Sequence, residues 1–169
     1  MQLLIVRHAD AGDAGEFAKT GRPDSERPLS AKGRKQIRVA AKALADLVPD
    51  VAVIVTSPYV RAVETHDVLR DVYGRTVDSA TTETLEPERP PESFARWLGG
   101  RKEIEVVAAV GHEPHLSTLV TWLMTGSDDS RVQLKKGGAC LLELDDTPKK
   151  GGAVLRWLLT PKHLGALAP

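Results

Sequence analysis

The chain has 169 residues, of which 41% are hydrophobic and 27% are charged. This size and composition are typical of a folded globular protein, and we predict that residues 1–169 form a single domain. Lysine plus arginine and aspartate plus glutamate both number 23, so the formal net charge is zero. A chain without net charge has no overall attraction for nucleic acid or for a membrane surface, so neither is expected as a partner. Any anion site has to be a local cluster.

The cysteine count and the N-terminal residues bear on the cellular compartment in which the protein is expected. Cys140 is the single cysteine, so it cannot form an intrachain disulfide, which fits a reducing environment. The apolar run at residues 3–6 is interrupted by Arg7. It is too short for the core of a signal peptide or for a membrane span. We therefore expect a cytoplasmic protein.

Short apolar runs and helical periodicity alternate along the chain. Continuous apolar runs predict strands, and those before His112 are expected to be buried on both faces: residues 3–6, 51–56, 106–110, 139–144 and 154–159. Apolar residues at helical spacing predict helices: residues 31–48 after a Ser30 cap, 58–72 after a Ser57 cap, 92–98, and a segment after His112. Irregular segments are predicted at residues 9–27, 76–91 and 145–147.

Strands that alternate with helices indicate βαβ units. We therefore predict an α/β fold of three layers, α/β/α, in which a mainly parallel central sheet has helices on both faces. The carboxyl ends of parallel strands share one edge of such a sheet, and ligands bind in the crevice there. Three predicted strands are followed by Arg7-His8, by Ser57 to Arg61 and by His112. We expect these residues to form one pocket.

The residue types in this pocket suit a phosphoryl group. Arginine side chains grip phosphate oxygens with a charged, forked donor group. Arg61 lies in the first turn of its predicted helix, where the backbone N–H groups also attract anions. A neutral imidazole can attack phosphorus, and His8 is placed directly at a strand end beside Arg7. The spacing of His112 and His115 is one residue short of the helical zinc motif, so no metal or other cofactor is expected.

Three motifs carry a resemblance to a known family: LIVRHA at residues 4–9, SPYVRAVET at residues 57–65 and VGH at residues 110–112. Two more segments continue it, RPLSAKG at residues 27–33 and LKKGG at residues 134–138. In this order the motifs resemble the histidine phosphatase superfamily, which also contains phosphoglycerate mutases. The short length is similar to that of the SixA-type phosphohistidine phosphatases.

The resemblance implies a phosphoglycerate mutase-like fold and a set of site residues. His8 would be the nucleophile that becomes phosphorylated, and water would then hydrolyse the phosphohistidine. Arg7, Arg61 and His112 would bind the phosphoryl oxygens, so phosphate or sulfate is expected to occupy the site. No metal would be required.

Two positions depart from the family pattern. Ala9 stands where the family has glycine after the histidine, and Pro87 stands where members often carry a glutamate acid. Glu86 is the candidate acid, with Glu83 and Glu88 as alternatives. A weak or absent acid suits a P–N substrate, because an imidazole is more easily expelled than an alkoxide.

The expected function is removal of phosphate from phosphohistidine in proteins, as part of signal transduction. The expected partner is then a phosphorylated protein such as a histidine phosphotransfer domain. Two alternatives remain open: a small-molecule phosphomonoesterase of the same superfamily, and a non-catalytic phosphate-binding module. The basic face of the first long helix, which includes Lys32, Lys35 and Lys42, is predicted to be either solvated or a docking site for an acidic phosphoprotein.

Overall fold

The computed structural model describes residues 1–145 and 148–169, so the turn predicted at residues 145–147 lies partly outside the described residues. The strands are β1 (Gln2–Arg7), β2 (Val53–Thr56), β3 (Asp78–Thr81), β4 (Val106–Gly111), β5 (Ala139–Leu144) and β6 (Ala153–Leu159). The α-helices are α1 (Ala14–Ala18), α2 (Ala31–Leu47), α3 (Val60–Tyr73), α4 (Pro91–Gly99), α5 (His115–Thr125) and α6 (Pro161–Leu167). Short 3-10 helices cover Asp24–Glu26 and Glu83–Leu85.

All six strands belong to one sheet, in the order β3-β2-β4-β1-β5-β6. The first four strands run parallel to one another, whereas β5 and β6 are antiparallel to their neighbours. The carboxyl ends of β1, β2 and β4 therefore lie side by side at one edge. The predicted α/β class and the mainly parallel sheet are confirmed.

Alternate residues of each strand pack against different helices. On one face, Leu4 and Val6 belong to a core cluster with residues of α2, α3 and α6. On the other face, Leu3 and Ile5 belong to a cluster with residues of α4 and α5. Full burial of such side chains stabilises the fold by roughly 1.5–3 kcal/mol each. The three-layer arrangement follows from this alternation and is confirmed.

Three predictions about local structure were wrong. The segment at residues 9–27 is not all loop, because it contains α1, where Asp13 caps the backbone N–H of Glu16 at 2.8 Å. The irregular segment at residues 76–91 contains β3, a short and mostly exposed edge strand without an apolar run. The helix predicted from residue 58 begins instead at Val60, and its N-cap residue is Tyr59 rather than Ser57.

A close approach of α2 fixes the segment that follows β1. A Cβ atom at Gly33 would lie 2.1 Å from the Asp10 carbonyl oxygen, so only glycine fits there. Ser30 caps α2 by accepting from the Gly33 N–H, and its backbone N–H donates to the Asp10 carbonyl at 2.9 Å. The first turn of α2 thus rests directly on the backbone beside His8. Among the described residues, none of the helices combines the length and the apolar character needed to span a bilayer.

Candidate active site

Backbone hydrogen bonds bring the three strand ends together. The N–H of His8 donates to the Gly111 carbonyl at 3.0 Å, and the N–H of Ser57 donates to the Val110 carbonyl at 3.0 Å. The residues that follow β1, β2 and β4 therefore start from adjacent positions. Consistent with this arrangement, the rings of His8 and His112 lie with their centroids 5.0 Å apart.

The His8 ring is held at both nitrogens. Nδ1 lies 2.7 Å from the Ala9 carbonyl oxygen, which can only accept, so Nδ1 carries the proton. Nε2 accepts from Nε of Arg61 at 3.3 Å. The lone pair of the neutral ring is therefore on Nε2, on the side of the arginine.

Several influences keep this ring neutral. Burial first, and then the charges of Arg61, Arg7 and Arg27, together lower the pKa of His8 to about 3, against the opposing effect of the Ala9 hydrogen bond. A histidine with this pKa has an unprotonated Nε2 throughout the neutral range. The ring is in the form that can attack an electrophile.

Arg61 uses its whole guanidinium within the site. Beside the His8 contact, Nη1 donates to the Asp24 carbonyl oxygen at 2.7 Å and Nη2 lies 3.0 Å from the Asp24 carboxylate. Arg27 reaches the same carboxylate through Nε at 2.7 Å. The hydrogen bond from Arg27 lowers the pKa of Asp24, and the charge of Arg61 lowers it further. Two arginines thus hold one anion next to His8.

His112 lies under this cluster. Its Nε2 is 2.9 Å from the Ser57 hydroxyl, and its Nδ1 is buried without a hydrogen-bond partner in the described part of the chain. Burial is the main cause that lowers the pKa of His112 to about 2, and the positive surroundings that include Arg61 contribute to the same shift. The ring of Tyr59 covers it at a centroid distance of 4.9 Å.

Arg7 borders the other side of the site. Its Nη1 donates to the Leu134 carbonyl at 2.7 Å, while its Nε is buried without a partner among the described residues. Burial lowers the pKa of Arg7, and the nearby charge of Glu113 raises it. Arg7 and Glu113 also line a cavity of about 500 Å³ between the start of α5 and residues 128–133.

Thr65 supports the residue that differs from the family pattern. Its hydroxyl donates to the Arg61 carbonyl at 2.8 Å and accepts from the Ala9 N–H at 3.1 Å. Among the described residues, positive φ angles occur only at glycines, so Ala9 sits in ordinary backbone. The alanine therefore needs no strained conformation here.

The three candidate acids do not contact the residues just described. Glu86 and Glu83 both pair with Arg89, at 3.2 and 3.1 Å respectively, and Glu88 is exposed. The segment itself is near, since a Cβ at Gly111 would lie 3.4 Å from the Leu85 carbonyl oxygen. Glu86 as an acid stays a prediction.

The structure adds two residues that the sequence did not assign to the site, Asp24 and Arg27. Arg27 begins one of the quoted motifs, which was the available signal, and Asp24 precedes it by one helical turn. No group of three or more histidine, cysteine, aspartate or glutamate residues arranged to hold a metal occurs within the described ranges.

The sequence is similar to that of a known protein family and to that of one further protein. The model of the histidine phosphatase superfamily (branch 1) matches residues 3–86. An uncharacterised protein from Picosynechococcus sp. is 28% identical over 141 residues, which are 82% of this chain and 82% of that protein.

Solved structures share the fold. The protein histidine phosphatase SixA in complex with tungstate has a TM-score of 0.83 and 24% identity, covering 97% of this chain and 99% of that one. The alpha-ribazole phosphatase from Shigella flexneri has a TM-score of 0.75 and 16% identity, covering 95% and 97%. A phosphoserine phosphatase mutant from Entamoeba histolytica has a TM-score of 0.70 and 16% identity, covering 96% and 98%.

Proposed function

Since the chain belongs to the histidine phosphatase superfamily, we propose that it is a phosphatase that works through His8 and removes phosphate from phosphohistidine in proteins. The supporting observation is the His8 ring, whose Nδ1–H is fixed by the Ala9 carbonyl and whose Nε2 carries the lone pair, on the side of Arg61. A superfamily of phosphatases makes hydrolysis the expected reaction type, and the substrate is the part that needs proof.

The reaction has two steps. In the first, Nε2 of His8 attacks the phosphorus atom, an N–P bond forms, and the bond to the leaving group breaks with its electron pair going to the leaving atom. In the second, water attacks the phosphorus, the N–P bond breaks and its electron pair returns to Nε2, and inorganic phosphate leaves with the water's protons, which it exchanges with solvent. Because Nδ1 keeps its proton throughout, His8 ends each cycle in its starting form.

Positive groups already in place stabilise the charge on the transferred phosphoryl group. Arg61 and Arg27 together hold the Asp24 carboxylate, and a phosphoryl group is a doubly charged anion that competes for the same donors. Arg7 has a buried Nε without a partner in the described structure, which is a donor available to a phosphoryl oxygen.

A phosphohistidine substrate fits the carboxylates found around the site. Asp24 is held as an anion by two arginines, and Glu83 and Glu86 are paired with Arg89. A phosphomonoester needs an acid to protonate its alkoxide leaving group, whereas an imidazole leaves more readily. We therefore propose phosphohistidine as the substrate, because its leaving group depends least on protonation by an acid.

One observation favours the small-molecule alternative. The cavity beside Arg7 has a volume of about 500 Å³ and is lined by hydroxyl and carboxyl groups such as those of Ser117, Thr118 and Asp128. This size and polarity would suit the organic part of a small phosphorylated metabolite.

Trapping the phosphorylated enzyme tests the nucleophile. Wild type and His8→Ala are incubated with labelled phosphohistidine protein and quenched at alkaline pH, because phosphohistidine is acid-labile. We expect label on wild type and none on His8→Ala, while His163→Gln, at an exposed histidine outside the site, labels like wild type. Equal labelling of wild type and His8→Ala would show that the nucleophile is wrong.

A substrate panel tests the rest of the proposal. Phosphohistidine protein, phosphotyrosine peptide, sugar phosphates and nucleotides are compared by kcat/KM. We expect the phosphohistidine protein to be the best substrate. A preference for a sugar phosphate or nucleotide would favour the small-molecule alternative, and no turnover or labelling at all would favour a phosphate-binding module.

A further inference from the structure

The pair of helices α2 and α6 carries an unbalanced set of positive charges. Their described residues include one acid, Asp46, although the whole chain is neutral. Five of their basic side chains are exposed and form no ion pair with any described residue: Lys32, Lys35, Arg38, Lys42 and Lys162. These cations are therefore available to a partner.

An apolar strip runs between these cations. A groove of about 350 Å³ lies between α2 and α6, and its lining residues are Lys35, Gln36, Val39, Pro161, Lys162 and Gly165. Val39, which lines the groove on α2, is 44% exposed. Exposed apolar residues that are flanked by charges are typical of protein-binding surfaces. We refer to the six lining residues as the α2–α6 groove.

One wall of the groove lies close to the backbone of the candidate active site. Pro161 lies beside Gly137, where an added Cβ would be 3.7 Å from the proline ring. The N–H of Gly137 in turn donates to the carbonyl oxygens of Arg7 and His8, both at 3.1 Å. A single residue therefore separates the wall of the groove from the backbone of the nucleophile. A protein seated in the groove would be positioned to present a side chain to His8.

We propose that the α2–α6 groove binds an acidic amphipathic helix of the phosphorylated protein substrate. Carboxylates of such a helix would pair with Lys35 and Lys162, and its apolar residues would cover Val39. A nucleic acid fits less well, because none of the six lining residues is aromatic and able to stack on a base. This proposal rests on the proposed function, to which it adds how the substrate is selected.

Charge reversal tests the groove. The groove variant is Lys35→Glu with Lys162→Glu, and its matched control is Arg75→Glu with Lys102→Glu, two exposed positions outside the groove. Each double variant changes the net charge equally. The substrates are a phosphorylated histidine phosphotransfer domain with an acidic surface and free phosphohistidine. We expect the groove variant to lose about tenfold in kcat/KM on the protein, mainly through KM, and to turn over free phosphohistidine normally.

The control variant should keep wild-type kcat/KM on both substrates within about twofold, as is usual for exposed substitutions. Equal losses in the groove and control variants would reduce the effect to net charge and overturn the proposal. A groove variant that processes the protein normally, or that loses both substrates alike, would overturn it as well.

Direct binding separates failure of the groove from failure of the proposed function. Calorimetric titration with the unphosphorylated domain needs no turnover, and we expect the groove variant to bind it about tenfold more weakly than the control, with wild-type affinity falling as salt rises. If binding follows this pattern but no substrate is turned over, the proposed function fails and the groove stands. If a single-stranded RNA binds through these lysines and the acidic domain does not, the partner class is wrong.

Discussion

The two faces of the sheet flank the proposed phosphoryl site with different chemistry. On the face of α2, α3 and α6, cations that form no ion pair with any described residue lie beside exposed Val39. On the face of α5, the rim is a polar cavity in which Glu113 and Asp128 add carboxylates beside Arg7. The first face suits an acidic protein and the second suits a small polar molecule. The difference predicts that the proposed chemistry at His8 and the choice of substrate are located in separate parts of the fold and can be changed separately.

The largest expected effect is at the site between the two faces, where Arg61 contacts His8 and Asp24. Arg61→Lys keeps a positive charge but loses the fork that contacts His8 and Asp24. We expect kcat to fall about 100-fold or more on both protein and small substrates, with Arg75→Lys as an exposed control. If only one substrate class is affected, the two faces do not share a centre and the comparison fails.

Acid should destabilise the fold through its buried histidines. Burial lowers the pKa values of His8, His112 and His115 to about 3, 2 and 4. The unfolded chain binds these protons near the ordinary value of 6.5, while the folded chain does not, so stability falls as pH falls below that value. With three such groups, the slope approaches about 4 kcal/mol per pH unit between roughly pH 5.5 and 4.

Urea unfolding at a series of pH values measures this slope. A variant of His115 shows how much of the slope comes from the α5 face of the sheet. His115 lies at the start of α5, and its burial is the cause of its lowered pKa. We expect His115→Gln to reduce the slope by about a third, since one of three groups is removed. An unchanged slope would mean that the pKa of His115 is not lowered by burial, in contrast to the pKa values of His8 and His112.

A smaller effect is expected at Asp24, on the side of α3. Asp24→Asn removes the carboxylate from Arg61 and Arg27 while the Asp24 carbonyl still holds Nη1 of Arg61. The freed donors should bind inorganic phosphate about fivefold more tightly, a modest gain because the carboxylate is half exposed. Competitive inhibition by phosphate measures it, with Asp71→Asn as an exposed control. Weaker inhibition would show that Asp24 assists anion binding.

The smallest effect is expected in the cavity on the α5 face. Thr118→Phe places a ring in the cavity that Thr118 lines. The ring fills part of the space for the organic group, so KM for small organic phosphates should rise about threefold through the loss of a few atomic contacts. The protein substrate should be unaffected. Thr118→Val is the matched control, since it removes the hydroxyl bond to the Pro114 carbonyl and keeps the volume. A rise in KM for the protein would place its substrate on this face too.

The sheet and the convergence of its strand ends were predictable from the sequence for physical reasons. Strands buried on both faces leave continuous apolar runs, and parallel strands end at one edge, so residue order and hydropathy suffice to bring His8, Arg61 and His112 to one pocket. The roles given to them remain predictions. The edge strand β3 was missed because its four residues, DSAT, carry no apolar signal.

The loop residues of the site were less accessible to such reasoning. Asp24 reaches Arg61 only because the chain from α1 folds back across the start of α3, and periodicity does not encode that path. The same holds for Leu134, whose carbonyl fixes Arg7 from 127 residues away. Loop paths depend on many weak contacts, so single residues in them cannot be assigned from spacing alone.

Gly33 makes the α2 helix and the segment that follows His8 a single mechanical unit. With the Asp10 carbonyl oxygen 2.1 Å from where a Cβ would be, there is no clearance along this contact. Ser30 adds two hydrogen bonds to Asp10, one from its backbone and one from its hydroxyl at 2.7 Å. A partner that displaces α2 from its outer surface would therefore also displace the backbone of Asp10, two residues after His8.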